Sequence, residues 1–156
     1  MGSDISKEIR ALAHRDIFPA GYGGVLLVLV ETYMVNMYLT IRVVKARKEY
    51  HVEYPQMYSD SSVEFNCIQR SHQNFLESTL FFIPFLLFSG IEYPRLSTLA
   101  GNIYLLGRVL YAHKYKSTDI KKRIVGFRIS LFGGMLPLIS LTSLLAITTL
   151  KRSRLG

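Results

Sequence analysis

Leu131 to Leu150 is a run of twenty residues without a charged side chain. A helix of that length crosses a hydrocarbon core of about 30 Å, so the run reads as a membrane span. The rest of the chain must accommodate it. Hydrophobic residues make up 49% of the chain although 19% are charged, so the apolar residues are segregated into runs. At 156 residues the chain reads as one membrane domain, 1–156, and Met1 to Phe18 lacks the uncharged core of a cleavable signal. The first span is then its own insertion signal.

Four spans are expected, at about residues 20–44, 63–91, 96–115 and 124–150. Arg42, Lys45, Arg47 and Lys48 close the first, and Glu31 and Asn36 lie inside it. His51 to Ser62, with Pro55 and a Ser/Asp cluster, reads as a polar loop that caps the second helix, and Pro84 is expected to kink that helix. Glu92-Tyr-Pro-Arg95 is a tight turn into the third span. Gly133, Gly134 and Pro137 loosen the fourth. Short connections between four spans imply an all-α integral membrane protein, an antiparallel bundle of four transmembrane helices. Lysine and arginine are more numerous around the first and third loops than on the opposite side, which places those loops in the cytosol. Met1 to Ser6 fits an N-myristoylation pattern, and Ser6 to Arg15 fits a short amphipathic interfacial helix.

The net charge of +8 lies in short basic runs flanking apolar segments, and no nucleic-acid-binding motif accompanies it. Membrane-surface anchoring and anionic ligands account for it better. One cysteine, Cys67, allows no intrachain disulfide. The four histidines show no metal-ligand spacing, and no phosphate loop or Ser/His/Asp pattern is present.

The most informative polar segment is Phe65-Asn-Cys-Ile-Gln-Arg-Ser-His-Gln-Asn-Phe-Leu-Glu77, which runs without a turn signal into apolar sequence. Asn66, Arg70, Asn74 and Glu77 share one helical face, and polar groups entering a membrane point at protein or at a ligand. Tyr104, Arg108, Tyr111 and Tyr115 share a face of the third span. Arg47, Arg70, His72, Asn74, Glu77, Arg108, Tyr111, Tyr115 and Arg123 all fall near the same helix ends. Arginines take carboxylates bidentately and Glu77 takes an ammonium, so the set suits a small polyanion that carries an amine. A γ-glutamyl tripeptide fits, as do other amino-acid-like anions. An interhelical network that only holds the helices together is the alternative.

Val44-Lys-Ala-Arg-Lys-Glu-Tyr50, His51-Val-Glu-Tyr-Pro-Gln-Met-Tyr58, the Phe65–Glu77 segment and Gly107-Arg-Val-Leu-Tyr-Ala112 resemble the microsomal glutathione transferase (MAPEG) family, its type 3 branch above all. Lys121-Lys-Arg-Ile-Val-Gly-Phe-Arg-Ile-Ser-Leu131 is similar to the type 2 branch, a relative of leukotriene C4 synthase. The resemblance implies a homotrimer with glutathione as co-substrate, bound between neighbouring subunits near the cytosolic face, and no metal. It implies that Arg47, Arg70, His72, Asn74, Glu77, Tyr111 and Tyr115 contact the tripeptide. It makes Arg123, with Lys122 as competitor, the residue holding the thiolate, and places Lys48 near a lipophilic substrate. It further implies a multi-pass protein of the endoplasmic reticulum or outer mitochondrial membrane, active site toward the cytosol, in contact with membrane lipids and not with nucleic acid. The activity implied is glutathione transferase and peroxidase, on lipophilic electrophiles, lipid hydroperoxides or leukotriene A4. The alternatives are a non-catalytic lipid-binding scaffold resembling five-lipoxygenase-activating protein, and a small channel subunit.

Overall fold

The structure, a computed structural model, describes residues 18–115 and 120–155. The myristoylation pattern and the expected N-terminal amphipathic helix lie outside the described residues. Four helical rods follow one another: α1, Gly23–Glu49; α2, Val63–Glu92; α3, Pro94–Lys114; and a continuous fourth rod made of α4, Ile120–Arg128, a π-helical stretch, Ile129–Met135, and α5, Leu136–Leu155. No strand occurs among the described residues.

Among the described residues three segments, Gly23–Glu49, Val63–Glu92 and Arg123–Arg154, are long and apolar enough to cross a membrane, which fits a multi-pass membrane protein. The third expected span, α3, is not among them. It carries Arg95, Asn102 and Arg108, and it packs against every other rod, so its polar groups can meet protein instead of lipid. Large side chains such as Leu27, Leu80, Phe81, Leu99 and Phe132 remain on the outside, as a lipid-facing surface requires.

Side-chain neighbours fix the directions of the rods. Gly24 lies against Thr98, and Gly90 against Tyr22 and Val25, so α1 starts beside the start of α3 and the end of α2. Thr142 Oγ1 donates to the Phe85 carbonyl at 3.2 Å, and Arg152 stands 4.0 Å from Glu92, so α5 runs alongside α2. The rods therefore alternate up and down. Because lipid tails are as apolar as leucine, such rods hold together by close packing and interhelical hydrogen bonds. Both devices are present: Phe82 stacks on Tyr104 at 4.0 Å between centroids, and the buried Ser97 hydroxyl donates to Ser89 at 2.8 Å. Between α3 and the fourth rod the approach is closer still. A Cβ on Gly107 would meet the Ser130 backbone, and one on Gly126 the Tyr111 backbone.

Local chemistry sets the ends. Ser62 caps α2 by accepting from the Phe65 N–H at 3.1 Å. α1 ends in a Schellman arrangement: His51 takes φ 53° and the Val52 N–H returns to the Arg47 carbonyl at 3.0 Å. Val52 then packs with Ala46 and Phe65. Tyr93 alone separates α2 from α3, and Pro94 opens the latter. The π-helical stretch holds Gly133 and Gly134 and ends two residues before Pro137, whose ring nitrogen has no hydrogen to return to the ladder.

Candidate functional site

Of the polar stripe on α2, Asn66 leaves the group. Its side chain closes the preceding loop, accepting from the Ser59 N–H and donating to the Ser59 carbonyl, both at 2.7 Å. Arg70 and Glu77, two turns apart on the same face, meet at 3.1 Å with about half of each side chain exposed. Asn74 accepts from Arg108 Nη2 at 2.7 Å. From there a row of contacts follows α3 outward. Arg108 lies 5.1 Å from the Tyr111 ring, Tyr111 meets Tyr115 edge to face at 5.1 Å, and Arg123 stands 4.5 Å over the Tyr115 ring. Arg70, Asn74, Glu77, Tyr111, Tyr115 and Arg123 thus form one polar wall built from α2, α3 and the start of α4.

Arg47, Lys48 and His72 stand elsewhere. His72 Nε2 lies 3.1 Å from Asn36 Oδ1 and 3.3 Å from Thr40 Oγ1, so it ties α2 to α1. Arg47 Nη1 donates to the carbonyls of Val52, Glu53 and Gln56 at 3.4, 3.5 and 2.8 Å, and its guanidinium covers the Tyr54 ring at 4.3 Å. With Lys48, His51 and Tyr54 it lines an open cleft of about 280 Å³ at the end of α1. At about 100° per residue, His72 points about 140–160° away from Arg70, Asn74 and Glu77. The expected residues share one end of the rods but occupy two opposite sides of α2, and within one chain the helix itself stands between them.

Arg108, grouped in the sequence with the polar residues at these helix ends, pairs with Asn74, is 4% exposed and stands at the centre of the polar wall. Its Nε is buried without a hydrogen-bond partner among the described residues. The signal for this burial was the Tyr104, Arg108, Tyr111, Tyr115 spacing, since an arginine midway along a row of phenols on a central helix has protein on every side. Deeper in, Tyr104 donates to Ser78 Oγ at 2.8 Å and closes the wall toward the core. Among the described residues no group of His, Cys, Asp and Glu side chains is arranged to hold a metal ion. The side chain of Lys122, the competitor of Arg123, lies outside the described residues.

A sequence model of the MAPEG family matches residues 25–147, a stretch that begins within the first rod and ends within the fourth. The chain belongs to that family. It is 39% identical to microsomal glutathione S-transferase 2 of Homo sapiens over 111 residues, covering 70% of this chain and 72% of the human protein. The Bos taurus protein of the same name is 35% identical over 104 residues, covering 66% of this chain and 68% of that one. An uncharacterized protein of Synechocystis is also 35% identical over 104 residues, covering 66% and 74%. The matched segment contains both sides of the α2 site, so each belongs to the family portion of this member of the family.

Proposed function

We propose that this chain is a membrane-embedded glutathione transferase that activates glutathione as a thiolate for attack on lipophilic electrophiles. The similarity to two microsomal glutathione S-transferases supports the reaction class. The observation that carries the residue assignment is the Arg123 guanidinium stacked over Tyr115, at the open end of a wall that continues through Tyr111 and Arg108 to Asn74. In this reading Arg70 takes a glycyl or γ-glutamyl carboxylate, Glu77 takes the ammonium, and Asn74 with the two tyrosines fixes orientation. Arg123 faces the sulfur. A guanidinium within a few ångströms favours the anion and lowers the thiol pKa by about 1–3, which brings it toward neutrality.

Arg47 and His72 enter the same reading from a second subunit. Their position on the far side of α2 supports a ring of three chains in which the α1 side of one copy faces the polar wall of the next. Lys48, in the cleft beside Arg47, is then placed near the second substrate, where it can donate to an epoxide or peroxide oxygen as the thiolate attacks. Lipid hydroperoxides and leukotriene A4 are the substrates proposed, in the endoplasmic reticulum membrane with the site toward the cytosol.

The experiment is a glutathione titration of the purified chain in detergent, following thiolate absorbance in the ultraviolet. Wild type gives saturable thiolate, and Arg123→Ala binds the tripeptide with the absorbance lost. Failure of wild type to bind glutathione removes the catalytic reading and leaves a lipid-binding scaffold as the better account.

A further inference from the structure

The half of the molecule opposite the polar wall carries a groove of about 320 Å³ between α3 and the fourth rod. Leu96, Leu99 and Ile103 of α3 line one side of it, and Pro137, Ser140 and Leu141 line the other. It opens on the outer surface, where Leu96 and Leu99 are 55% and 59% exposed. Gly133, on which a Cβ would meet the Ile103 side chain, closes its inner end. Beyond that point the two rods touch backbone to backbone, Gly134 against Tyr104 and Gly107 against Ser130. In the other direction α3 packs less closely on α5 than on the π-helical stretch, and the groove is the gap between them. The same antiparallel register carries Leu96 opposite Leu141 at the open end.

Leu96 to Ile103 spans about 10 Å of helix rise, so a groove of this volume has a cross-section of about 30 Å². A helix, about 10 Å across, is too wide to enter it, whereas a single hydrocarbon chain fits. Ser140 is the one polar side chain in the lining, so the groove offers a polar solute almost nothing in exchange for its hydration.

Arg95 stands at the open end. It precedes Leu96, and it lies one turn before Leu99 and about 40° from it round the helix. It is exposed, and the ion pairs among the described residues, Arg70–Glu77 and Arg152–Glu92, leave it without an acidic partner there. Lys151 and Arg154, exposed on the last turns of α5, keep this end of the rods basic. A free guanidinium where an apolar groove begins fits a phosphate, which it takes bidentately, with the attached chain continuing inward.

We propose that this groove holds one acyl chain of an anionic glycerophospholipid, with the chain end at Gly133 and the phosphate on Arg95. The site shares no residue with the polar wall and does not depend on the transferase reading.

The chain contains no tryptophan, so a single introduced indole reports its own surroundings. Leu96→Trp puts one at the mouth of the groove. Leu27→Trp, at a position 64% exposed on α1 and of similar depth, since Gly24 lies beside Thr98, is the bulk-lipid reference. Each full chain in dodecyl maltoside is titrated with phosphatidylglycerol or phosphatidylcholine brominated on the acyl chains, and fluorescence quenching is followed. In Leu96→Trp, phosphatidylglycerol quenches saturably at a mole fraction about fivefold lower than phosphatidylcholine does, the effect of one cation at a lipid surface. In Leu27→Trp both lipids quench alike, in proportion to mole fraction. Adding Arg95→Gln to Leu96→Trp abolishes the difference between the lipids. Adding Ser140→Phe, which fills the groove from an exposed position, abolishes the saturation. Coincident curves for the two indoles, a lipid preference that survives Arg95→Gln, or saturation that survives Ser140→Phe overturns the proposal. An indole at the groove that neither lipid quenches also overturns it, because a protein surface then covers the groove. Wild type gives a second readout: phosphatidylglycerol raises its unfolding midpoint more than phosphatidylcholine does, and an equal rise counts against the site.

Discussion

Arg108 and Arg123 stand on either side of the Tyr111–Tyr115 pair. Arg108 is buried, and its hydrogen bond to Asn74 at 2.7 Å is the only one its guanidinium makes among the described residues. Asn74→Ala therefore strands a buried charge, and about 1–3 kcal/mol of stability is lost, read as a lower midpoint of thermal unfolding in detergent. Arg123 is partly buried at the wall's open end, and on the proposed assignment its removal acts on chemistry. If Arg123 holds the thiol as proposed, the bound thiol's pKa is depressed, thiolate is already formed near neutral pH, and the conjugation rate changes little above it. Arg123→Ala raises that pKa toward the ordinary thiol value of about 8.5, so its rate climbs with pH through 7 to 9. Arg123→Lys, which keeps the charge but not the planar fork, falls between them. A pH–rate series on the three proteins checks the order; coincident profiles would place the thiol away from Arg123.

At the level of elements, the α3–α4 seam positions the wall. The Gly126 Cα faces the Tyr111 backbone so closely that any side chain displaces it, and Tyr111, Tyr115 and Arg123 lie within one or two turns of that contact. Gly126→Leu is expected to cost about 1–3 kcal/mol by overpacking. Conjugating activity falls with it, measured as kcat/KM beside an unfolding curve. The expected spans and the observed rods agree in place but not in extent. The second was expected at 63–91 and is Val63–Glu92, because Ser62 and the Tyr-Pro turn are local signals legible in sequence. The first was expected to stop at Val44 and continues to Glu49. Hydropathy marks where lipid ends, whereas Lys45 to Glu49 are helix formers that extend the rod into water until His51 adopts its left-handed conformation. α3 was legible as a helix through its tyrosine spacing, but its place against all the other rods depends on tertiary packing, and so does the burial of Arg108. The split of the site residues was present in the spacing, since His72 is two residues from both Arg70 and Asn74, yet only the contacts with Asn36 and Thr40 show which rod each side faces.

For the whole molecule, the two separated groups make a prediction about assembly. If glutathione is held by Arg70, Asn74, Glu77, Tyr111, Tyr115 and Arg123 of one copy and by Arg47 and His72 of the next, no isolated chain has a complete site. Dilution into conditions that dissociate the oligomer then abolishes conjugation while helical content persists, followed by circular dichroism alongside activity. The most direct test of the shared site is complementation between two inactive chains. Arg47→Ala and Arg123→Ala are co-expressed with different affinity tags, and oligomers carrying both tags are isolated and assayed for glutathione conjugation. In a closed ring of three, the wall of an Arg47→Ala chain beside the α1 side of an Arg123→Ala chain is an intact site, and every ring that carries both variants has one such junction, so about a third of the wild-type sites are restored. The account predicts conjugation returning to roughly that level in doubly tagged oligomers and absent from either single variant. Doubly tagged oligomers that stay as inactive as their parents would contradict it, because both residues would then serve the same chain.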